Sequence, residues 1–248
     1  MKRKVMLRMK FVEVLKKKTE DNPGTRTPMI AFLGDSVTQG CFEVYQKGKG
    51  FEVVFDNLAG YAEKVKKIMA LLYPKAPVSI LNFGVNGSTA PAGYERLLRD
   101  VLPTKPDLMV VCFGLNDSNG DVEGVDIYKE TLKKIFQTAK EEGIETIFMT
   151  PNMMNTDSSK VSPGDILEPL AEVFAKRQNE GVFDAYMEAA REACDEENVV
   201  LCDCYAIWKK MQECGVNTTE LLSNGLNHPV REMHELFAWQ LVHTIMNH

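Results

Sequence analysis

The sequence predicts a three-layer α/β fold in which a doubly wound, five-stranded parallel sheet is covered by helices on both faces. Five short apolar segments are typical of buried strands, and the segments between them repeat apolar residues at helical spacing. Strands that alternate with helices imply right-handed crossovers and therefore a parallel sheet. A chain of 248 residues, 44% of them hydrophobic, has enough apolar material for one such domain.

The first 27 residues precede the first predicted strand, and we interpret them as an N-terminal helical extension. Residues 1–18 are basic, and charged side chains repeatedly interrupt their apolar residues. The segment therefore lacks the continuous apolar stretch of a signal peptide. We expect a short surface helix here, followed by a single domain over residues 28–248.

Predicted strands and helices alternate along that domain. The strands cover residues 29–33, 78–83, 108–113, 146–150 and 199–203. Apolar residues three or four positions apart predict helices near residues 58–72, 128–139, 182–194 and 231–246. In a sheet of this kind ligands bind beyond the carboxyl ends of the strands, so that edge is where functional residues are expected.

Small and polar residues follow the first three predicted strands. Ser36 follows the first strand, Gly87 lies in the loop after the second, and Asn116 follows the third. Each segment alone is typical of an ordinary turn, because glycine, aspartate, serine and asparagine favour turns. Since the carboxyl ends of parallel strands share one edge, we expect a hydroxyl nucleophile and amide donors to meet in one crevice.

A serine nucleophile needs a general base, and the chain has four histidines from which to choose. His243 lies near the end of a predicted helix and His248 is the last residue, so both are expected at the surface. His228 directly precedes the last predicted helix, where a loop can return to the carboxyl edge of the sheet. We predict His228 as the base, with His234 as the reserve candidate.

Together these motifs resemble the four ordered sequence blocks of the SGNH, or GDSL-type, hydrolases. The resemblance implies a flavodoxin-like sheet and an esterase that needs no cofactor and no metal. It also implies a role for each matched residue: Ser36 is the nucleophile, His228 is the base, and the Ser36 and Gly87 N–H groups form the oxyanion hole with the Asn116 amide. The matching positions are Gly34-Asp35-Ser36 with Gly40, Gly87 after Asn82, Gly114-x-Asn116-Asp117 and His228-Pro229.

One position departs from the family pattern. The aspartate that usually stands three residues before the histidine is replaced by Gly225, and no carboxylate lies between Glu220 and His228. Three explanations compete. A backbone carbonyl or the Asn224 amide oxygen orients His228 instead, or a distant acid takes the place of the aspartate. In the third, the protein is a weakened or inactive relative. We favour a working Ser-His pair, because the other site residues are all present.

Charge and composition limit the classes of partner that we expect for this protein. The net charge of −6 gives no electrostatic reason to expect nucleic acid or an anionic membrane surface. No apolar run reaches the roughly 18 residues that a membrane span needs. The six cysteines lack the paired C-x-x-C spacing of a zinc site, and free thiols in a reducing cytoplasm are expected. The histidines show no metal-ligand pattern with nearby cysteines.

The expected substrate is a small ester. The stretch from Gly40 to Glu43, with the acidic and glycine-rich segment after it, resembles bacterial SGNH members that act as carbohydrate or acetylxylan esterases. That resemblance implies a short-chain, acetyl ester on an oligosaccharide. The alternatives are a lysophospholipase, a thioesterase or an acyltransferase on the same residues, and a non-catalytic module that binds a carbohydrate or another ligand. The sequence does not indicate the oligomeric state.

Overall fold

The structure is a computed structural model that describes residues 9–248. These residues contain seven strands: β1 (Met29–Gly34), β2 (Cys41–Lys47), β3 (Gly50–Phe55), β4 (Ser79–Gly84), β5 (Leu108–Cys112), β6 (Glu145–Met149) and β7 (Val200–Cys202). Five of them form one parallel sheet in the order β4-β1-β5-β6-β7. The predicted five-stranded parallel sheet is therefore confirmed, and each predicted strand lies within a residue or two of an observed one.

Helices cover both faces of this sheet. They are α1 (Lys10–Glu20), α2 (Ser36–Gln39), α3 (Tyr61–Leu72), α4 (Ala90–Arg96), α5 (Val125–Glu141), α6 (Glu168–Asn179), α7 (Val182–Glu197), α8 (Cys204–Glu213) and α9 (Met233–Asn247). Helix α3 packs against α9, while α5 packs against α4 and α7. The sequence pattern predicted α3, α5, α7 and α9 but not α2, α4, α6 or α8.

Helix α5 illustrates why the pattern works. Its buried residues recur every three or four positions from Tyr128 to Ala139, which places them on one face. The helix ends before Gly143, which adopts the left-handed conformation with φ of 72°. That conformation suits glycine, so the predicted C-terminal stop has a backbone cause.

The chain reverses direction at β1, which determines where the crevice lies. From β1 the chain crosses to β4 on one side and then returns to β5 on the other side of β1. The connection leaving β1 runs toward β4, whereas the connection leaving the neighbouring strand β5 runs the other way, toward β6. Open α/β sheets bind ligands beyond the strand ends at such a point of divergence. Ser36 is the second residue after Gly34, the last residue of β1, and so stands at this point.

A β-hairpin outside the main sheet was not predicted. Strands β2 and β3 pair antiparallel around a turn at Gly48 and Lys49 and begin directly after Gly40. One face of the hairpin carries Val44 and Val53, which are cross-strand partners. The hairpin places a wall beside the crevice that the sequence analysis did not foresee.

The N-terminal segment is described from residue 9 onward, so residues 1–8 of the predicted basic helix lie outside the described residues. Helix α1 buries Phe11, Val12 and Leu15 in the main core, while Lys10 and Glu13 are exposed. Within residues 9–248, every helix is too short or too polar to cross a bilayer.

Candidate active site

Ser36 is held at the end of β1 by a tight turn. Asp35 caps the short helix α2, where its carboxylate accepts a hydrogen bond from the Val37 N–H at 3.0 Å. Gly84 at the end of β4 permits the close approach of this turn, because a Cβ there would lie 2.3 Å from the Gln39 nitrogen. Ser36 is consequently fixed in a buried position, with 2% of its surface exposed.

The structure brings His228 to Ser36. The imidazole Nε2 lies 3.0 Å from the Ser36 Oγ, across 192 residues of sequence. His228 lies in the loop before α9, where Leu222 and Pro229 form an isolated antiparallel bridge. Two further contacts fix this loop, since Asn152 donates to the Asn227 carbonyl at 2.8 Å and the Asn155 N–H donates to the Leu226 carbonyl at 2.8 Å.

A backbone carbonyl orients the imidazole. His228 Nδ1 lies 2.8 Å from the Phe42 carbonyl oxygen in β2. A carbonyl oxygen can only accept, so Nδ1 carries the hydrogen and Nε2 presents its lone pair to the Ser36 hydroxyl. This is the tautomer that a general base requires. The oxygen supplies no full negative charge, in contrast to the carboxylate of a Ser-His-Asp triad.

Asn224 does not orient the ring, and the prediction for this residue is corrected. Its Oδ1 accepts from the backbone N–H groups of Leu226, Asn227 and His228, each at 3.0 Å. Its Nδ2 donates to the Asn227 side chain at 3.1 Å. Asn224 therefore shapes the loop that carries the histidine, while the Phe42 carbonyl contacts the ring.

The conformation of Gly225 disfavours an aspartate at this position. Its φ is 67°, in the left-handed region that favours glycine. A Cβ at this position would lie 3.2 Å from Lys160 Cβ and Val161 Cγ2. An aspartate at 225 would thus be strained and crowded in the present loop.

The three predicted oxyanion donors differ in their surroundings. The Asn116 Nδ2 donates to the Ser88 carbonyl at 3.0 Å, and Asn116 lines the same crevice as Ser36 and His228. Ser36 is the first residue of α2, where N–H groups lack an intrahelical acceptor. Gly87 lies in the turn after β4 with φ of 74°, and its N–H has no acceptor within residues 9–248. Unlike the other two residues, Gly87 does not line the crevice.

Burial alters the protonation of the groups around the site. It lowers the pKa of His228 to about 4, so the imidazole is neutral at pH 7 and available as a base. Burial likewise raises the pKa of the Asp35 carboxyl to about 7 and that of Asp117 to about 6. Asp117 accepts from the N–H groups of Ala90 and Gly114, which fixes the loop that carries Asn116.

His234, the reserve candidate, has a structural position. Its Nδ1 accepts from the Tyr61 N–H at 3.1 Å, and its ring packs 4.9 Å from the Phe42 ring. The structure thus separates the two candidate bases, since of the two only His228 contacts Ser36. Within residues 9–248, no group of three or more histidine, cysteine or acidic side chains is arranged to hold a metal ion.

The crevice at Ser36 is small and mostly apolar. Its volume is about 170 Å³. Asn86, Asn116 and Asn227 contribute polar groups. Most of the apolar wall comes from the hairpin and from the segment around α6, and Leu226 of the histidine loop completes it. The hairpin and α6 residues are Val44, Phe51, Val53, Leu167, Leu170 and Phe174. Sequence reasoning missed this part of the wall because it predicted neither the hairpin nor α6.

Comparisons with known proteins agree with this architecture. A model of the GDSL-like lipase/acylhydrolase family matches residues 32–236. An acetylxylan esterase of Geobacillus stearothermophilus is 28% identical over 132 residues, covering 49% of this chain and 58% of the relative. An uncharacterized lipoprotein, YqeF, of Bacillus subtilis is 29% identical over 144 residues, covering 49% of this chain and 55% of its own length. The matched part thus spans little more than half of either relative.

Solved structures show the same fold. The acetylxylan esterase Axe2 from Geobacillus stearothermophilus superposes with a TM-score of 0.64 at 23% identity, covering 88% of this chain and 94% of that one. A lipase/acylhydrolase from Enterococcus faecalis gives a TM-score of 0.65 at 22% identity, covering 89% and 96%.

Proposed function

The chain belongs to the GDSL-like lipase/acylhydrolase family, and on that premise we propose that it is a serine esterase in which Ser36 and His228 act as a catalytic pair. The observation that carries the proposal is the 3.0 Å contact between Ser36 Oγ and His228 Nε2. The tautomer set by the Phe42 carbonyl supports it, because it leaves Nε2 free to take the hydroxyl proton.

The reaction follows from these positions. Ser36 Oγ attacks the ester carbonyl carbon while His228 Nε2 takes its proton, and the carbonyl oxygen becomes an oxyanion. The Ser36 N–H and the Asn116 amide, whose residues line the crevice, stabilise that charge. The Gly87 N–H, which lies outside the crevice wall, is the third donor that the family resemblance implies. His228 then gives its proton to the leaving alcohol, and water hydrolyses the acyl-enzyme by the same steps in reverse. Each oxyanion donor contributes about 3 kcal/mol to the transition state, because it is oriented before the charge develops.

For the substrate we propose a short-chain ester, an acetyl group on an oligosaccharide. The crevice of about 170 Å³ favours a small acyl group. A relative and a structural neighbour named as acetylxylan esterases support the saccharide. The apolar walls favour a second candidate, hydrolysis of an ester with a longer apolar chain, as in a lysophospholipase.

A chain-length series tests both candidates. The measurements are kcat/KM on p-nitrophenyl esters from acetate upward, and acetate release from acetylated xylo-oligosaccharides, with Ser36→Ala as the blank. The proposal predicts the highest kcat/KM for the acetyl or propionyl ester and acetate release that Ser36→Ala lacks. A maximum at a long chain favours the second candidate, and full activity of Ser36→Ala contradicts the esterase assignment.

We also propose the cytoplasm as the compartment, supported by six free thiols, five of them buried. Since one relative is named a lipoprotein, cell fractionation is the appropriate measurement. Recovery of the native protein in the membrane fraction would contradict this assignment.

A further inference from the structure

The peptide bond between Phe42 and Glu43 takes the place of the missing aspartate, because its carbonyl oxygen accepts from the His228 ring. We propose that Arg231 is a positioning residue that holds this peptide against the imidazole. The inference rests on the proposed function of Ser36 and His228. Arg231 contacts neither Ser36 nor the crevice, so its effect on catalysis would act through the Phe42–Glu43 peptide.

Arg231 contacts the side chains on both sides of that peptide. Its guanidinium forms a bidentate ion pair with Glu43, with Nη1–Oε1 and Nη2–Oε2 distances of 2.5 and 3.1 Å. The Arg231 Cζ also lies 4.3 Å from the centroid of the Phe42 ring, in cation–π geometry. Its Nε donates to Asp56, which follows β3, at 3.0 Å. We call Arg231, Phe42, Glu43 and Asp56 the arginine clamp.

The clamp links the hairpin to the histidine loop. Arg231 lies three residues after His228, and the Val230 N–H between them donates to the Leu221 carbonyl at 2.9 Å. The guanidinium is therefore fixed relative to the imidazole by a short, hydrogen-bonded backbone. The guanidinium also contacts the Phe42 and Glu43 side chains. Arg231 therefore holds both partners of the Nδ1 hydrogen bond, the His228 ring that donates and the Phe42 carbonyl that accepts.

The hairpin needs such an anchor. Within residues 9–248, strand β2 pairs with β3 alone, and an isolated two-stranded hairpin is marginally stable in water. A backbone carbonyl on such an element drifts more easily than a carboxylate fixed beside the histidine. A misplacement of about 1 Å at a catalytic group can cost about 100-fold in rate.

The charged clamp side chains are partly exposed, so the loss of Arg231 should affect the position of the Phe42 carbonyl more than the stability of the fold. The side chains of Arg231, Glu43 and Asp56 are 36%, 26% and 38% exposed. Ion pairs at such exposure contribute little to folding. Removing Arg231 should therefore leave the protein folded, while the Phe42 carbonyl loses its charged anchor and keeps the packing of the Phe42 ring against His234.

The clamp also has an electrostatic signature at His228. The charged and titratable groups around the ring are Glu43 and Asp56 on the hairpin side, Arg231 on its own loop, and His234 on α9. Burial lowers the pKa of His228, and the hydrogen bond to the Phe42 carbonyl and the Glu43 charge offset part of that fall. Arg231→Met leaves both hairpin carboxylates uncompensated and should raise the pKa of His228 further. Glu43→Gln removes the nearer carboxylate and leaves Arg231 paired with Asp56 alone, so it should lower the pKa of His228.

The experiment compares Arg231→Met, Arg231→Lys and Glu43→Gln with Arg191→Met. Arg191 is a matched control, because its guanidinium also pairs with two carboxylates, those of Asp203 and Glu188, on a different part of the surface. The readouts are kcat, KM, Tm and the NMR titration midpoint of the His228 ring.

The inference predicts that Arg231→Met lowers kcat about 10- to 100-fold with KM within about twofold. Arg231→Lys should recover only part of kcat, since lysine keeps the charge without the planar fork. Arg191→Met should retain the wild-type kcat, and the His228 midpoint should move up in Arg231→Met and down in Glu43→Gln.

A kcat for Arg231→Met within about twofold of wild type, or an equal loss in Arg191→Met, overturns the inference. If the wild-type protein hydrolyses no ester, the proposed esterase function is wrong, and the clamp is then tested by the NMR midpoints of His228 alone. The inference about Arg231 is overturned if those midpoints do not move in opposite directions in Arg231→Met and Glu43→Gln.

Discussion

Replacing Asn224 by alanine should destabilise the loop that carries His228. The Asn224 Oδ1 accepts from three backbone N–H groups, each at 3.0 Å, and the residue is 8% exposed. A buried donor left without an acceptor costs about 1–3 kcal/mol. Water can reach part of this loop, so we expect a total of about 3 kcal/mol. For a chain of this size that corresponds to a fall in Tm of roughly 6–12 °C.

The matched variant Asn224→Asp separates loop shape from ring contact. Aspartate keeps the accepting oxygen and loses only the Nδ2 donation to Asn227, so it should lower Tm less than alanine does, while the new charge raises the pKa of His228. The assays are thermal unfolding and kcat of both variants. We expect kcat to fall in Asn224→Ala, because the backbone N–H of His228 loses its acceptor. The reasoning is refuted if Asn224→Ala unfolds within about a degree of wild type or if aspartate destabilises as much as alanine.

Three further predictions concern the oxyanion donor, the nucleophile turn and the base. Asn116→Ala should lower kcat roughly 100- to 1000-fold with little change in KM, and an unchanged kcat in steady-state kinetics would remove it from the oxyanion hole. Gly84→Ala should cost about 2 kcal/mol or more in urea unfolding, because its Cβ would lie 2.3 Å from a backbone nitrogen. Gly143→Ala, whose Cβ meets no atom within 4 Å, is the control and should cost only about 1 kcal/mol from its positive φ; equal losses would contradict the close approach. Burial disfavours the charged imidazole, so the His228 ring should stay neutral as the pH falls from 7 to 5 and titrate in NMR near its pKa of about 4; a midpoint near 6.5 would contradict the buried geometry.

The sheet could be predicted because its strands carry a strong signal. The central strands β1 and β5 are buried along almost their whole length, so each is a nearly continuous apolar run. Residues at the carboxyl ends of such strands then converge whatever lies between them in sequence. That rule alone brings Ser36 and Asn116 to one crevice.

The hairpin was missed although a signal was present. Apolar and polar residues alternate around Val44 and around Val53, and Gly48-Lys49 lies between the two segments; this pattern is typical of a hairpin. Helix α6 has a weaker apolar periodicity, with Ala171, Ala175 and Gln178 as its buried residues. Small and polar residues on the buried face hide such a helix from a pattern based on large apolar side chains.

The orienting group could not be predicted from residue types. Every residue carries a backbone carbonyl, so nothing in the identity of Phe42 marks its oxygen as the partner of His228. Asn224 was the reasonable side-chain candidate, but its oxygen is already used by three N–H groups of its own loop. Only the path of the hairpin decides which carbonyl reaches the ring.

The central claim is that His228 activates Ser36 without a carboxylate, and the rate of active-site labelling tests it most directly. A serine-reactive fluorophosphonate is added at pH 7 to wild type, Ser36→Ala and His228→Gln, and the modified peptide is identified by mass spectrometry. The account predicts labelling at Ser36 in wild type, about 100-fold or more slower labelling in His228→Gln, and none in Ser36→Ala. Equal labelling rates in wild type and His228→Gln, or modification at another residue, would contradict it.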